Sequence, residues 1–500
     1  MRAPVPADVA PAPAAGNPST LTVSVVIPAH NALEYAGDAI RSVLGQSRPA
    51  LEIILVDDGS EDDTARKVSL EFPQVRLLKQ PHRGVAAARN RGWCAARGEL
   101  IGFLDSDDRY LPDKLEVQVP MLERDPRLGL VHSGWRLADA AGAATSEKRP
   151  WGQVPRLDLE SWLLWKPVFL GGMLIRRSWL EAVGGFSEDL HQAEDVDLIL
   201  RLALAGCRAE WCKQVTLVKR QHEQNLTRRG AQQVHSLAEV LERFFAQPRL
   251  PRRIRRMESK VRYYSSVWSA WHTFQLGELD IARECLAASL PWSPRPLDLT
   301  VVEWQSEFAL RLPRQTRFTT MRSLRPVLQE SAGMTPPAWR DTERLLDWTL
   351  ETWYSLIEGD MAASLGGLRA AGRTTGPELA ERARSAILAV NSAPEAAAVG
   401  AWWNTALVEG LIPQSQRHEV TTLHLTLLAQ AVVRRQGARA ARALRYAVAS
   451  GWSPAAAPAW GWFMRAALRA VRRQIGDQRT QPTAHARIVG SVHSDRHPRQ

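Results

Sequence analysis

Cysteine is scarce in this chain of 500 residues, which contains only Cys94, Cys207, Cys212 and Cys285. The two that lie close together have no second Cys or His pair at the spacing of a structural zinc site, so such a site is not expected. So few and scattered thiols favour a reducing, cytoplasmic compartment.

Long apolar runs are absent as well. No segment has the roughly 18 uninterrupted apolar residues that a membrane span needs. The first twenty residues are rich in Ala and Pro and have no apolar core of signal-peptide length. We predict that residues 1–20 form a disordered tail. The formal net charge of +11 favours anionic partners without specifying which.

Two phosphate-binding loops are missing. No Gly-x-Gly-x-x-Gly follows the first predicted strand, which disfavours a dinucleotide-binding Rossmann unit. No Gly-x-x-x-x-Gly-Lys occurs, which argues against a P-loop nucleotide triphosphatase. A bound diphosphate would therefore have to be held by a metal ion and by scattered side chains.

The most informative stretch is residues 99–108, where an apolar run ends in Asp105, Asp107 and Asp108. A continuous apolar run predicts a strand buried on both faces, and open α/β sheets bind ligands beyond the carboxyl ends of such strands. Carboxylates this close repel one another, which favours a divalent cation bound together with a substrate diphosphate. The alternative is an acidic turn that caps the helix after Pro112.

Strands and helices alternate before this stretch. Apolar runs at 23–27, 51–56 and 75–79 are separated by helical patterns. The second run is also followed by acidic residues, Asp57 and Asp58. Regular alternation predicts an α/β fold with a mostly parallel sheet and right-handed crossovers.

Four motifs at these strand ends resemble the signatures of the inverting GT-A-fold glycosyltransferases, the large nucleotide-sugar family that builds bacterial surface polysaccharides. They are Val26–Asn31, Val56–Ser60, Ala88–Gly92 and Phe103–Asp108. The resemblance covers about residues 22–230 and implies a GT-A domain at 21–230, with a mixed, mostly parallel sheet flanked by helices. It also implies a nucleotide diphospho-sugar donor, with a UDP-sugar as the first candidate, and a divalent metal, Mn²⁺ or Mg²⁺.

The same resemblance implies roles for individual residues. Asp107 and His222 should bind the metal, and Asp58 should recognise the base, because a carboxylate can accept the imide proton of uracil. A structural role is the alternative for His222 and for Asp108. The residues expected to bind the donor are Pro28, Ala29, Asn31, Asp57, Asp58, Asn90, Asp105 and Ser106.

Residues 184–188 and 193–202 resemble the acceptor-side motif of the family. Glu194 should face the acceptor. Asp195 should be the base that deprotonates the acceptor hydroxyl, a role worth roughly 10²–10⁴-fold in rate. The alternative for Asp195 is helix capping. Aromatic faces can stack on sugar rings, and we expect this of at most one tryptophan near this region; the candidates are Trp151, Trp162, Trp165 and Trp179.

In the second half the apolar residues recur with a helical period throughout. We predict an α-helical domain over 231–475, followed by a disordered basic tail over 476–500. Residues 277–294 are weakly echoed at 437–454, which suggests helix pairs like those of tetratricopeptide solenoids. A basic amphipathic pattern at 460–473 predicts either a helix lying on an anionic membrane or one packed on its neighbours.

We therefore predict an inverting glycosyltransferase that works in surface polysaccharide or glycolipid synthesis. Its partners would be a nucleotide-sugar donor and a carbohydrate or lipid-linked acceptor, with peripheral contact at the inner face of the cell membrane and no nucleic acid. One alternative is a non-catalytic scaffold with a degenerate transferase domain. Another is a nucleotidyltransferase, which would need a Gly-rich basic loop after the first strand.

Overall fold

The computed structural model describes residues 20–222, 225, 230–309, 317–340, 342–343 and 346–347. The chain divides into two compact units, one ending at Pro294 and one beginning at Arg295. The predicted tails (apart from residue 20), the echo at 437–454 and the amphipathic helix at 460–473 lie outside the described residues.

A single mixed sheet forms the centre of the first unit. Its strands are β1 (Val23–Ala29), β2 (Glu52–Asp58), β3 (Arg76–Gln80), β4 (Leu100–Phe103), β5 (Arg109–Tyr110), β6 (Leu128–Ala138), β7 (Ala144–Lys148), β8 (Met173–Arg176) and β9 (Arg208–Arg220). The strand order is β3-β2-β1-β4-β8-β6-β9-β5, with β7 paired to β6. Strand β8 runs antiparallel to both neighbours, so β4 and β6 point the same way. The predicted α/β class with a mixed sheet is confirmed.

Helices cover the sheet and continue after it. In the first unit they are α1 (Ala36–Leu44), α2 (Thr64–Glu71), α3 (Val85–Ala95), α4 (Lys114–Arg124), α5 (Leu159–Trp165), α6 (Arg177–Val183), α7 (Glu194–Leu204), α8 (Gly230–Phe245), α9 (Arg252–Arg255), α10 (Glu258–Gln275) and α11 (Leu279–Ser289). In the second unit α12 (Leu297–Ala309) contacts α13 (Arg317–Ala332). Within the described residues, no helix is both long and apolar enough to cross a membrane.

Both faces of the sheet are buried, which explains the continuous apolar runs. In β1, Val25 and Ile27 point into one core, together with apolar residues of α1, α2 and α4. Val26 points to the other face, whose core includes residues of α3, α5, α6 and α7. Side chains alternate along a strand, so a strand between two helical layers must be apolar at every position.

The helix α8 belongs to this second core. Val240, Leu241, Phe244 and Phe245 are buried in the same cluster as the apolar face of α7. We predicted a domain boundary at residue 230. That boundary stays a prediction. The compact unit of the structure ends at Pro294, and α8 and α10 pack onto α7 and α5, which cover the sheet. The tetratricopeptide-like arrangement of the second half stays a prediction.

The carboxyl ends of the parallel strands meet at one edge of the sheet. Ala29 at the end of β1 pairs with Asp57 near the end of β2, and Val26 pairs with Phe103 at the end of β4. Strand β9 is parallel to β6 and therefore also ends at this edge. We call it the carboxyl edge; the acidic motifs lie along it.

Candidate active site

The carboxylate of Asp58 is enclosed at the end of β2. It accepts hydrogen bonds from the Gln80 side chain at 2.7 Å and from the backbone N–H groups of Arg83 and Gly84 at 2.9 and 2.8 Å. Nδ1 of His82 lies 3.0 Å from Oδ2 of Asp58. These contacts take up the roughly four acceptor positions of a carboxylate. Recognition of a base by Asp58 stays a prediction, and it would require one of these partners to be exchanged.

The ends of β1 and β2 are joined by side chains. Asn31 has a left-handed backbone with φ 48°, and its N–H donates to the hydroxyl of Ser60 at 2.9 Å. The N–H of Ser60 in turn donates to Asp57 at 3.2 Å. Pro28 and Ala29 are buried in β1 at the same level. The predicted donor residues at the ends of β1 and β2 therefore lie together at the carboxyl edge; they are Pro28, Ala29, Asn31, Asp57 and Asp58.

Asn90 on α3 holds a loop in place. Its amide nitrogen donates to the carbonyl of Phe186 and to Glu188, both at 2.9 Å. Its oxygen accepts from Trp93 Nε1 and from the N–H of Phe186, also at 2.9 Å. Gly185 has φ +68°, and a Cβ there would lie 2.5 Å from the Asn90 oxygen. All four hydrogen-bonding positions of the amide are used within the protein, so we regard Asn90 as a positioning residue.

Asp107 and His222 are 115 residues apart in the chain and meet at the carboxyl edge. Oδ2 of Asp107 lies 2.9 Å from Nε2 of His222 and accepts a hydrogen bond from Asn225 Nδ2 at 3.0 Å. The His222 ring stacks on Tyr35, with 5.0 Å between centroids. We call Asp107, His222 and Asn225 the Asp107 corner.

The Asp107 corner has the chemistry of a divalent metal site. A carboxylate is the ligand type that Mn²⁺ and Mg²⁺ prefer, and an imidazole is a common ligand of divalent metals. The Asn225 amide orients the carboxylate. Burial and the charge of Asp105 raise the pKa of Asp107, and a cation would relieve this excess of negative charge. In the part of the chain that the structure describes, no three His, Cys, Asp or Glu side chains form a complete cation site. A metal here would need further ligands from a bound diphosphate.

Asp108 and Arg220 support this corner from behind. Asp108 is 2% exposed and accepts a hydrogen bond from the N–H of Arg220 at 2.9 Å. The Arg220 side chain donates to the carbonyl of Asp107 at 3.2 Å and to Asp38 at 3.1 Å. Asp108 thus anchors the end of β9, and the structural alternative for this residue fits its contacts.

Arg89 connects the two sides of the site. Its buried guanidinium donates to Asp105 at 2.7 Å, and its other terminal nitrogen donates to Glu194. It also lies over the ring of Phe186, 5.6 Å from the centroid. The two carboxylates raise the pKa of Arg89, which therefore stays charged despite burial. Arg89 ties the end of β4 to the start of α7.

Asp195 is the second residue of α7, next to Glu194. Burial and the charge of Glu194 raise its pKa to about 7, while Arg89 opposes the shift. A general base is most effective when its pKa is near the working pH. Ala193, the residue before α7, is held in the left-handed region at φ 57°, a strain of about 1–3 kcal/mol that is common at functional sites. We call Glu194, Asp195 and Arg89 the Asp195 corner.

The structure thus brings the predicted residues to one edge. Their side chains differ in how exposed they are and in how many hydrogen bonds they already make within the protein. Asp105 is 37% exposed, and Ser106 has no hydrogen-bond partner among the described residues. Sequence reasoning assigned no role to Arg89, Asn225 or Tyr35. Arg89 lies inside the Ala88–Gly92 motif and Asn225 three residues after His222, so only their proximity to predicted residues could have indicated them.

The region around this edge matches a known family model. The model of glycosyl transferase family 2 matches residues 24–184. Residues 24–184 form a family 2 glycosyltransferase domain. This domain contains the strand ends with Asp58, Asp105 and Asp107, and the predicted membership of the GT-A glycosyltransferases is confirmed for it.

Curated relatives of the family 2 domain include enzymes of polysaccharide synthesis. Chondroitin synthase from Escherichia coli is 33% identical over 187 residues, which are 37% of this chain and 27% of the relative. Hyaluronan synthase from Pasteurella multocida is 30% identical over 187 residues, again 37% of this chain and 19% of the relative. The similarity therefore spans well under a third of these relatives.

Two solved structures also align with part of this chain. Residues 1–349 of S. aureus TarS align with a TM-score of 0.43 and 16% identity, over 63% of this chain and 93% of that one. The mannosyltransferase PcManGT from Pyrobaculum calidifontis, in complex with GDP-Man and Mn²⁺, aligns with a TM-score of 0.42 and 22% identity, over 66% of this chain and 89% of that one.

Proposed function

We propose that this protein transfers a sugar from a nucleotide diphospho-sugar to an acceptor hydroxyl with inversion at the anomeric carbon. The observation that carries the proposal is the pair of corners at one edge. Asp107 and His222 lie 2.9 Å apart, and Asp195 with its pKa of about 7 stands on the other side of Arg89. A glycosyl transfer needs both corners. The donor releases an anionic diphosphate, which must be stabilised, and the acceptor hydroxyl releases a proton, which a base must accept.

In this proposal Asp195 accepts the proton of the acceptor hydroxyl as its oxygen attacks the anomeric carbon. The bond between that carbon and the diphosphate oxygen breaks, and the nucleoside diphosphate leaves with the electron pair. A single displacement of this kind inverts the configuration. Arg89 pairs with both Glu194 and Asp105, and in this arrangement Asp195, the neighbour of Glu194, would face the donor across the buried guanidinium.

Asp107 and His222 would hold a divalent ion, Mn²⁺ or Mg²⁺, and Asn225 would orient the carboxylate. When bound at these residues, such an ion would supply Lewis-acid stabilisation of the departing diphosphate. The nucleoside would lie along the ends of β1 and β2, where Asp57, Asp58 and Asn31 are found. A UDP-sugar is the first candidate donor.

The acceptor is proposed to be a carbohydrate or a lipid-linked glycan in surface polysaccharide or glycolipid synthesis. The support is the likeness of the family 2 domain to synthases of chondroitin and hyaluronan. The likeness covers only 37% of this chain and a smaller share of those enzymes. We therefore propose no role for the second half of this chain.

Incubation of the full-length protein with a panel of nucleotide sugars, with and without Mn²⁺, tests the proposal. We expect slow hydrolysis of one donor, dependent on the metal and lost in excess chelator. A released sugar of inverted anomeric configuration, read by NMR before mutarotation, supports the single displacement. Retention contradicts that mechanism. No binding or hydrolysis of any donor overturns the enzyme assignment in favour of a non-catalytic scaffold.

A further inference from the structure

A cavity of about 500 Å³ lies between α1, β5, β9 and the β6–β7 hairpin. Its volume is typical of pockets that hold small ligands. The charged side chains that line it are Asp38, Arg41, Arg109 and Arg136. The described residues of its lining include no member of the Asp107 corner, of the Asp195 corner or of the predicted donor set. We call it the Arg109 cavity.

The register of three neighbouring strands brings two of these arginines onto one wall. Arg109 of β5 pairs with Val218 of β9, and Val218 pairs with Arg136 of β6. Residues that pair directly across neighbouring strands have their side chains on the same face of a sheet. The two guanidinium groups therefore flank Val218 on the wall of the cavity.

Helix α1 forms another wall and supplies the acidic residue. The hydroxyl of Ser42 accepts a hydrogen bond from the N–H of Tyr110 at 3.1 Å, which holds this helix against β5. In the same helix, Nη1 of Arg41 donates to Asp38 at 3.2 Å. Asp38 also accepts a hydrogen bond from Arg220 at 3.1 Å. Asp38, the one acidic residue of the described lining, is therefore shared between two arginines.

Arg109 has no carboxylate partner among the described residues. Its Nη2 donates to the carbonyl of Gly142 at 3.2 Å, in the turn between β6 and β7. Gly142 has φ +89°, a conformation that favours glycine, and this lets the turn close over the guanidinium. The charge of Arg109 is thus held in the cavity by a neutral carbonyl and is available to an anion.

The other two arginines have acidic neighbours outside the lining. Arg41 lies 3.4 Å from Glu71, and Arg136 lies 2.9 Å from Glu147, which Arg149 shares at 2.7 Å. Such partly exposed pairs are screened by solvent and are weak. The lining itself has three arginines and one aspartate, an excess of two positive charges. A concave surface with one sign of charge attracts ligands of the opposite sign.

The remaining wall of the cavity is mostly apolar. Leu111 and Pro112 follow β5, Ala144 begins β7, and Val218 lies between the two arginines. A few charged groups on a largely apolar wall are typical of sites for small organic ligands. A bare phosphate ion is much smaller than the cavity, so an occupant that fills it needs a carbon skeleton as well as a negative charge.

We propose that the Arg109 cavity binds a phosphorylated sugar, at a site separate from the donor site. The planar fork of arginine favours bidentate contact with phosphate. A phosphate monoester carries about −1.5 to −2 charges at pH 7, which matches the excess of positive charge in the lining, whereas one carboxylate would balance only half of it. The carbon face of the sugar would pack on the apolar wall. This inference does not rest on the proposed function.

Isothermal titration calorimetry of the full-length protein tests the proposal, with glucose 6-phosphate as the probe. We expect this probe to bind at least about tenfold more tightly than inorganic phosphate, because the sugar adds contacts with the apolar wall. Glucuronate has a single negative charge and should bind about tenfold more weakly than the probe. Glucose, which has no charge, should show no measurable binding.

Two variants test the arginines, and a third is the matched control. Arg109→Gln and Arg136→Gln should each raise Kd for glucose 6-phosphate about tenfold, because each removes a charged donor from the phosphate. Arg127→Gln makes the same change of charge elsewhere and should leave Kd within about twofold. Arg127 precedes β6 and Arg136 is near its far end, so the two lie roughly 30 Å apart, well beyond the range of screened charges. Circular dichroism should show an intact fold in each variant.

The same titrations can overturn the proposal. Absence of binding in the wild type does so, as does an unchanged Kd in both Arg109→Gln and Arg136→Gln. An equal loss of affinity in Arg127→Gln would assign the attraction to the general positive charge of the chain. Inorganic phosphate or glucuronate that binds as tightly as glucose 6-phosphate contradicts a phosphorylated sugar as the occupant.

Competition separates this cavity from the donor site. UDP with Mn²⁺ should leave the affinity for glucose 6-phosphate unchanged, whereas displacement of the probe would assign its binding to the donor site and overturn the proposal. None of these measurements requires turnover of a donor. Their outcome is therefore independent of whether the proposed function is correct.

Discussion

The two corners of the site are both built from carboxylates and differ in what balances their charge. In the Asp195 corner the protein provides the cation itself, since Arg89 is buried between Asp105 and Glu194. In the Asp107 corner the partners are an imidazole and an amide, which leave the carboxylate without a fixed positive charge. The first arrangement suits a residue that must release and accept a proton, and the second suits one that waits for a metal ion.

Removal of the carboxylate at Asp107 should have the largest effect. Asp107→Ala is expected to lower turnover at least about a thousandfold, because stabilisation by the metal is worth several kcal/mol. Calorimetric titration should also show the loss of Mn²⁺-dependent binding of the nucleoside diphosphate. Circular dichroism should show an intact fold. Full activity in this variant would mean that the Asp107 corner does not bind a required metal.

Substitution of the candidate base should separate the two corners. Asp195→Asn keeps the shape of the side chain and cannot accept a proton, so transfer should fall by roughly 10²–10⁴-fold. Affinity for the nucleoside diphosphate should stay within a few-fold, because the Asp107 corner is untouched. The opposite outcome, lost affinity with kcat retained, would move Asp195 to the donor side.

The charge balance of the Asp195 corner predicts a pH profile. The base must be deprotonated, so kcat/KM for transfer should rise with pH, by about tenfold per unit, and level off above about 7. Glu194→Gln removes a negative charge that raises the pKa of Asp195, and the rising limb should therefore move to lower pH.

Glu188→Gln is the matched control for that shift, because Glu188 pairs with Arg83 and Asn90 and is not among the charges that perturb Asp195. It should leave the profile in place. A limb that moves to higher pH in Glu194→Gln would contradict the assignment of the limb to Asp195.

The smallest effect is expected at Asn225. Its amide orients Asp107 with a hydrogen bond of 3.0 Å and is not required to bind the metal. Asn225→Ala should weaken Mn²⁺ binding by roughly tenfold, as is usual when a residue that orients a ligand is lost. Saturating Mn²⁺ should restore most of the turnover. No recovery at saturating metal would make Asn225 a direct ligand.

Much of the fold was predictable because local rules govern it. Strands β1, β2 and β4 each contain a nearly continuous apolar run since helices cover both faces, and this pattern is visible without coordinates. The packing of α8 was less predictable. The apolar face of α8 is equally consistent with a separate helical domain, and only its packing against α7 assigns Val240 and Phe244 to the first unit.

The sequence by itself determined that Asp57, Asp58, Asp105 and Asp107 gather at one edge, because parallel strands share the direction of their carboxyl ends. Tertiary structure alone decided which side chains at this edge form hydrogen bonds and ion pairs within the protein. Arg89 and Glu194 pair across 105 residues, and the Asn90 amide makes hydrogen bonds to Phe186 and Glu188, which are 96 and 98 residues away. Such pairings depend on distances of a few ångströms between segments that are remote in the chain, and no local sequence pattern encodes these distances.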